Sequence, residues 1–313
     1  MNVFFISLIA VAVLLLAAVP GYLLVKKRIV GEECIAGFSK ILIYVCQPCL
    51  AVYTFKSAEY SKERLVDIGI FALLAIVVPA IMLTGAFLIL NKKSAEQVMY
   101  RIITIAAAFG NCAFFGIPII EALFPEISSE VILYTTVYSV IMNITGWTVG
   151  SAIISRDLRY VSVKKIILNP AMLGTVAALV LFVLEIPIEK NLFSMISSGA
   201  KMATPLSMLV MGMRLATMKN VRFFGDVRIY LTVIAKQMIM PFIAFLTVLL
   251  LPIDPTLKSV FFVISACPVA AVVLSYSEMV GEGQREAAST LLLGTMLSVI
   301  TLPTMMLLLP LIS

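Results

Sequence analysis

Of the 313 residues, 62% are hydrophobic and only 13% charged, and the mean hydropathy is +1.11. A water-soluble domain carries about 25% charged residues, so this chain cannot cover its own surface in water and lipid must be its solvent. The net charge of +6 contains no Lys/Arg block that would read as nucleic-acid binding, and five cysteines without extracellular domains give no disulfide framework.

A membrane-spanning helix needs about 20 apolar residues. By that measure ten segments follow one another, near residues 3–25, 35–55, 67–90, 102–124, 131–154, 166–185, 193–216, 229–251, 258–280 and 287–311. The first is too long for a signal-peptide core and lacks a basic leader, which predicts a retained span. The second contains Cys46-Gln-Pro-Cys49. This C-x-x-C lies in an apolar helix with no further ligands, in a chain without histidine, so it predicts packing and no metal site. The third holds Pro79.

The fourth reads AAAFGNCAFFGIPIIEALF over residues 106–124 and is interrupted at Gly110-Asn111 and at Gly116-Ile117-Pro118. In a helix interior glycine costs roughly 1 kcal/mol and proline roughly 3 relative to alanine. Proline also removes a donor that hydrocarbon cannot replace. Such backbone is tolerated at membrane depth only where it is buried in protein or lines a cavity. Pro118 suits the first turn of a new half-helix. The free N–H groups and positive dipole end of that half-helix form an anion site.

The fifth segment carries Asn143, the sixth opens at Asn169-Pro170, the seventh holds Lys201 and Pro205, and the eighth holds Lys236 and Pro241. The ninth, VISACPVAAVVLSYSEMVGEG, repeats the interruption, with Pro268 among small residues. Paired breaks in corresponding spans of two halves point to a transporter's binding site.

Fifteen Lys/Arg residues follow the odd-numbered segments and five follow the even-numbered ones. The positive-inside rule then predicts both termini on the non-cytoplasmic side of the cell (inner) membrane. Ten spans divide as two halves, 1–160 and 161–313, and an odd-numbered repeat must be inverted relative to its copy. Prolines in corresponding spans agree: Pro48 with Pro205, Pro79 with Pro241 and Pro118 with Pro268 are separated by 157, 162 and 150 residues.

GNCAFFGIPI resembles the fourth-span signature of the auxin efflux carrier family through Asn111, Phe114, Gly116 and Pro118, with Ala113 where glycine is usual. ACPVA resembles the family's ninth-span pattern through Ala266, Pro268 and Ala270, NPAML the opening of its sixth span, and STLLLGTMLSVITLP its tenth. The resemblance covers essentially the whole chain. It implies an all-α membrane protein of ten helices in two inverted five-helix repeats, with broken fourth and ninth helices that cross. It further implies a scaffold of spans 1, 2, 6 and 7, often dimeric, against which spans 3–5 and 8–10 move as an elevator. Plant relatives export auxin and bacterial relatives are associated with malate, malonate and other small carboxylates. The absence of a long hydrophilic central loop makes this chain resemble a bacterial-type permease.

The expected substrate-binding residues are therefore Asn111, Cys112, Phe115, Gly116 and Pro118 of the fourth segment, Asn143 of the fifth, and Cys267, Pro268 and Val269 of the ninth. The amide of Asn111 can donate to a carboxylate, or cap its own broken turn. Lys40, Lys201 and Lys236 lie within a few turns of segment ends, where lysine snorkels to the interface. Glu121 and Glu278 lie toward the ends of their segments, so no midplane carboxylate marks a proton relay. No cofactor is expected, and the coupling ion, Na+ or H+, is left open. Expected partners are a small organic anion, the lipid bilayer and a second copy of the chain. Rival readings are a carrier like the bile-acid/sodium symporters or sodium/proton antiporters, a membrane-embedded enzyme, and a substrate sensor without transport. Deep paired acids would favour the first; the lack of histidine removes most catalytic constellations of the second.

Overall fold

The computed structural model describes residues 2–94, 97–157, 170–217 and 226–312. Among them the chain is helical with no strand, and one isolated bridge joins Gly110 to Val269. The helices are α1 (Val3–Lys26), α2 (Cys34–Ser57), α3 (Lys62–Ser94), α4 (Val98–Ala106), α5 (Cys112–Leu123), α6 (Glu130–Ser155), α7 (Pro170–Val183), α8 (Lys190–Lys201), α9 (Ala203–Thr217), α10 (Val227–Leu250), α11 (Pro255–Ser265), α12 (Val272–Val280) and α13 (Gln284–Met306). The fourth, seventh and ninth apolar segments are thus each divided in two. Asn169 lies outside the described residues.

Six helices among the described residues are long and apolar enough to cross a membrane: Val3–Lys26, Cys34–Ser57, Lys62–Leu90, Glu130–Ser155, Val227–Leu250 and Gln284–Leu311. Shorter apolar helices occupy Cys112–Leu123, Met172–Val183 and Pro255–Ser265. The chain is a multi-pass, all-α membrane protein. α1 and α7 are apolar all round, as helices that face lipid can be. On α1, Ser7, Val11, Leu14, Ala18, Gly21 and Val25 face the protein, while Phe5, Ile9, Val13 and Leu16 are exposed on another face.

Lipid tails are as apolar as leucine, so membrane helices associate through close packing of small residues. A Cβ on Gly21 would collide with the Leu209 carbonyl of α9, and one on Gly212 with the Ala18 carbonyl of α1. The α1–α9 contact is therefore a backbone-to-backbone approach. A Cβ on Gly174 of α7 would lie 2.6 Å from Cα of Pro48 in α2. The first segment thus packs on the seventh and the second on the sixth.

Three prolines are absorbed without a break. Widened π-turns at Leu42–Cys46, Cys112–Gly116 and Ala235–Ile239 are each followed, two residues on, by Pro48, Pro118 and Pro241. A proline ring clashes with the carbonyl four residues back, and a turn that bonds five residues back moves the preceding backbone. Pro118 lies in the first turn of the α-helical stretch Ile117–Leu123, as expected of it, while the widened turn at Cys112–Gly116 extends the half-helix α5 back to the break.

Polar bonds gather at two ends of the bundle. At one, Arg101 bonds Glu282 (3.2 Å) and the Ile154 carbonyl (2.6 Å), Arg214 bonds Glu278 (3.3 Å) and Arg228 bonds Gln97 (3.3 Å). At the other, Lys56 bonds the Ile186 carbonyl (3.0 Å) and Arg64 bonds Glu130 (3.0 Å). The helix caps add to these ends. Asp226 accepts from the Arg228 backbone N–H at the start of α10, and the Arg228 guanidinium beside it holds its carboxyl below the usual range.

Candidate functional site

The two broken segments meet. α4 ends at Ala106 with Ala107 as its cap, and α11 ends at Ser265 with Ala266 as its cap. The short stretches 109–111 and 268–270 then run antiparallel. The Asn111 N–H donates to the Pro268 carbonyl at 2.8 Å, and the Ala270 N–H donates to the Phe109 carbonyl at 2.9 Å. Two donors and two acceptors released by the breaks satisfy one another, where hydrocarbon would offer them nothing. The crossing is buried: Phe109, Gly110, Cys267, Pro268 and Val269 are all inside the protein.

Small residues make the approach possible. A Cβ on Gly116 would lie 3.2 Å from Sγ of Cys267, so the absence of a side chain at 116 admits the thiol of the other break. A Cβ on Gly110 would lie 3.0 Å from both Cε and Nζ of Lys236. Lys236 is fully buried and donates to the carbonyls of Ser265 and Cys267, each at 2.8 Å. Both acceptors belong to the released C-terminal end of α11. The expectation that Lys236 snorkels to the interface is overturned: it reaches inward, across Gly110, to the crossing. Lys40 and Lys201 are exposed.

The other expected residues distribute as follows. Asn111 is half-buried beside the crossing, and its side chain makes no capping bond to α5. Cys112 is buried and accepts from the Ser139 hydroxyl at 3.3 Å. Asn143, one turn further along α6, is half-buried and donates to the Ser139 carbonyl at 2.9 Å. Phe115 is fully enclosed in the apolar core, and Cys267, Pro268 and Val269 form the second break. Pro118 is half-buried, seven residues beyond Asn111 and away from the paired backbone. Glu121 is exposed, and Glu278 is exposed and paired with Arg214. No cluster of three or more His, Cys, Asp or Glu residues able to hold a metal occurs among the described residues.

The sequence model of a membrane transport protein family matches residues 6–160 and 154–306. The chain belongs to this family. It is a membrane transporter, in agreement with its resemblance to auxin efflux carriers, and the family is one of transporters rather than enzymes. No curated protein compared with the chain matches it.

Next to Lys236 stands a polar residue that the sequence reading did not single out. Gln237 adjoins Lys236, is fully buried, donates to the Gly294 carbonyl at 2.7 Å and accepts from the Thr301 hydroxyl. It ties α10 to α13. The dipeptide Lys-Gln inside an apolar helix, five residues before Pro241, is the signal that marks this position in the sequence.

Proposed function

We propose that this membrane transporter is a secondary carrier of small organic anions, mono- and dicarboxylates or auxin-like carboxylates, working by elevator-type alternating access. The observation that carries the reading is the crossing. α5 and α12 both start there, so their first-turn N–H groups and positive dipole ends converge on one place. Beside them stands the uncapped amide of Asn111. An anion needs such donors and needs no covalent chemistry. In this reading Asn111, Cys112, Gly116, Asn143, Cys267, Pro268 and Val269 surround the substrate, with Phe115 and Pro118 supporting the wall.

The ten-span inverted repeat is part of the proposal. The bonds at the crossing support it: shifting 109 and 111 by 159 residues reaches 268 and 270, so each crossing bond becomes the other. The packing pairs support it too, since exchanging the halves turns the pair of segments 1 and 7 into the pair 6 and 2. Those four segments would be the scaffold, dimeric through its outer face, with spans 3–5 and 8–10 as the moving unit. The opposite grouping of polar bonds at the two ends of the bundle supports alternating threading, with both termini outside the inner membrane.

The test is a thermal-shift screen of purified protein against mono- and dicarboxylates, followed by uptake of the best ligand into proteoliposomes. Stabilisation together with saturable flux is expected. Stabilisation without flux would make the protein a sensor, and no carboxylate response at all would remove the substrate class.

A further inference from the structure

Among the described residues, Lys236 is the buried charge at the crossing whose role the carrier reading leaves unassigned. A lysine withdrawn from water at membrane depth is expensive and usually pairs with a carboxylate or marks an ion pathway. Here the amine donates to main-chain carbonyls, those of Ser265 and Cys267 at 2.8 Å, and Lys236 belongs to no ion pair among the described residues. These carbonyls belong to the C-terminal end of a half-helix, where the dipole is negative. Released carbonyls at such ends are what broken-helix carriers use to hold a coupling cation. The amine stands where that cation would bind.

The fold itself does not require a lysine there. Carried back by the 159 residues that relate the crossing bonds, Ser265 and Cys267 fall on Ala106 and Ala108, and Lys236, carried back by the 162 residues that separate Pro79 from Pro241 on its own segment, falls on the buried Leu74. The first half-helix end thus forms without a charged side chain at the corresponding position. Space is arranged for the amine as well: Gly110 has no side chain exactly where Cε and Nζ pass, 3.0 Å from the position of a Cβ.

We propose that the Lys236 ammonium is a built-in replacement for a coupling metal cation: it fills the Ser265–Cys267 carbonyl site permanently and makes the carrier independent of alkali cations. This rests on the carrier reading above, and it selects within that reading a mode without sodium coupling. A tethered cation cannot leave with the substrate.

The experiment compares melting of purified protein in NaCl, KCl and choline chloride at equal ionic strength, for wild type, Lys236→Met and Lys236→Ala. Wild type is expected to melt at the same temperature in all three salts. Removing the amine leaves two buried acceptors unpaired, so Lys236→Ala is expected to melt lower in choline and to recover with saturable dependence on Na+ or on added propylammonium. Lys236→Met, which fills the space with an apolar chain, is expected to respond at least roughly tenfold more weakly to either cation. Saturable stabilisation of wild type by Na+ over choline would overturn the proposal, and this arm does not depend on any variant folding. A folded Lys236→Ala that ignores every cation would overturn it as well. These arms contain no carboxylate, so failure of the substrate class is read separately, in the carboxylate screen.

Discussion

Gly110 and Val269 face each other as an antiparallel pair at the point where the two interrupted segments cross. Their neighbours are bonded in both directions, at 2.8 and 2.9 Å, so neither break can slide against the other without leaving buried backbone groups unpaired. The helix breaks are therefore not weak points. Each supplies the partner that the other lacks, and together they fix the place to which the flanking half-helices aim their ends.

Gly110→Ala tests how tightly this point is packed. The new methyl would meet Cε and Nζ of Lys236 at 3.0 Å and the Cys267 carbonyl at 3.5 Å. Overpacking of this kind costs about 1–3 kcal/mol, expected as a lower melting temperature in detergent. Combining it with Lys236→Ala should be less than additive, because the second change removes the atoms the methyl meets. Strict additivity would mean that the strain lies elsewhere.

Gly212→Val should separate α1 from α9, since even a methyl there runs into the Ala18 carbonyl. Gly37→Val on α2, where nothing lies within 4 Å, is the control for the intrinsic effect of the substitution in a helix. A clearly larger fall in melting temperature for Gly212→Val is expected. Equal effects would remove backbone contact as the basis of this helix pair.

The helices themselves are legible because apolar runs of membrane length have few other uses, and the predicted segments coincide with helices or their halves. The breaks are legible through Gly110, Asn111 and Pro268, residues that a continuous helix resists. Their register was not. Pro118 and Pro268 are the conspicuous prolines, 150 residues apart, yet Pro268 lies in the crossing while Pro118 is accommodated by a widened turn of α5. Proline reports a local difficulty, and a π-turn is one way to remove it, so a shared proline does not prove a shared position. Lys236 was misread for a related reason. Distance from a segment end gives depth along the helix axis but not the side toward which a side chain turns. Asn111 stood out because polar amides are rare in apolar runs, and its backbone takes part in the crossing.

Glu121→Gln and Glu278→Gln should each retain substantial transport of the best carboxylate. Glu121 is exposed, and Glu278 is half-exposed in an ion pair with Arg214 at 3.3 Å. Exposed pairs contribute about 0–1 kcal/mol. Loss of flux in a folded variant that still binds substrate would instead assign a proton-carrying role to that carboxylate.

The threading has its own test. Connections rich in Lys and Arg should lie in the cytoplasm, which puts the C-terminus outside. A C-terminal reporter active only in the cytoplasm should therefore stay silent, and the same reporter inserted between Lys93 and Gln97 should be active. A strong C-terminal signal would reverse the orientation and remove the alternation on which the five-plus-five division rests.

Asn111→Leu addresses the binding site directly. Leucine keeps similar bulk but removes an amide that stands half-buried at the start of α5 without capping it. A carboxylate placed against the converging half-helix ends would lose a donor. The loss of one such bond, with an acceptor left unpaired, is about 1–3 kcal/mol, or roughly ten- to hundred-fold weaker binding. The backbone bond from the Asn111 N–H to Pro268 survives the substitution, so the crossing should persist and melting without ligand should change little. Changing Asn169, which the sequence puts at the opening of the sixth segment, should alter affinity far less. Titration calorimetry with the carboxylate selected by thermal shift gives the comparison. Unchanged affinity in a well-folded Asn111→Leu would leave the crossing as a structural joint and move the binding site elsewhere.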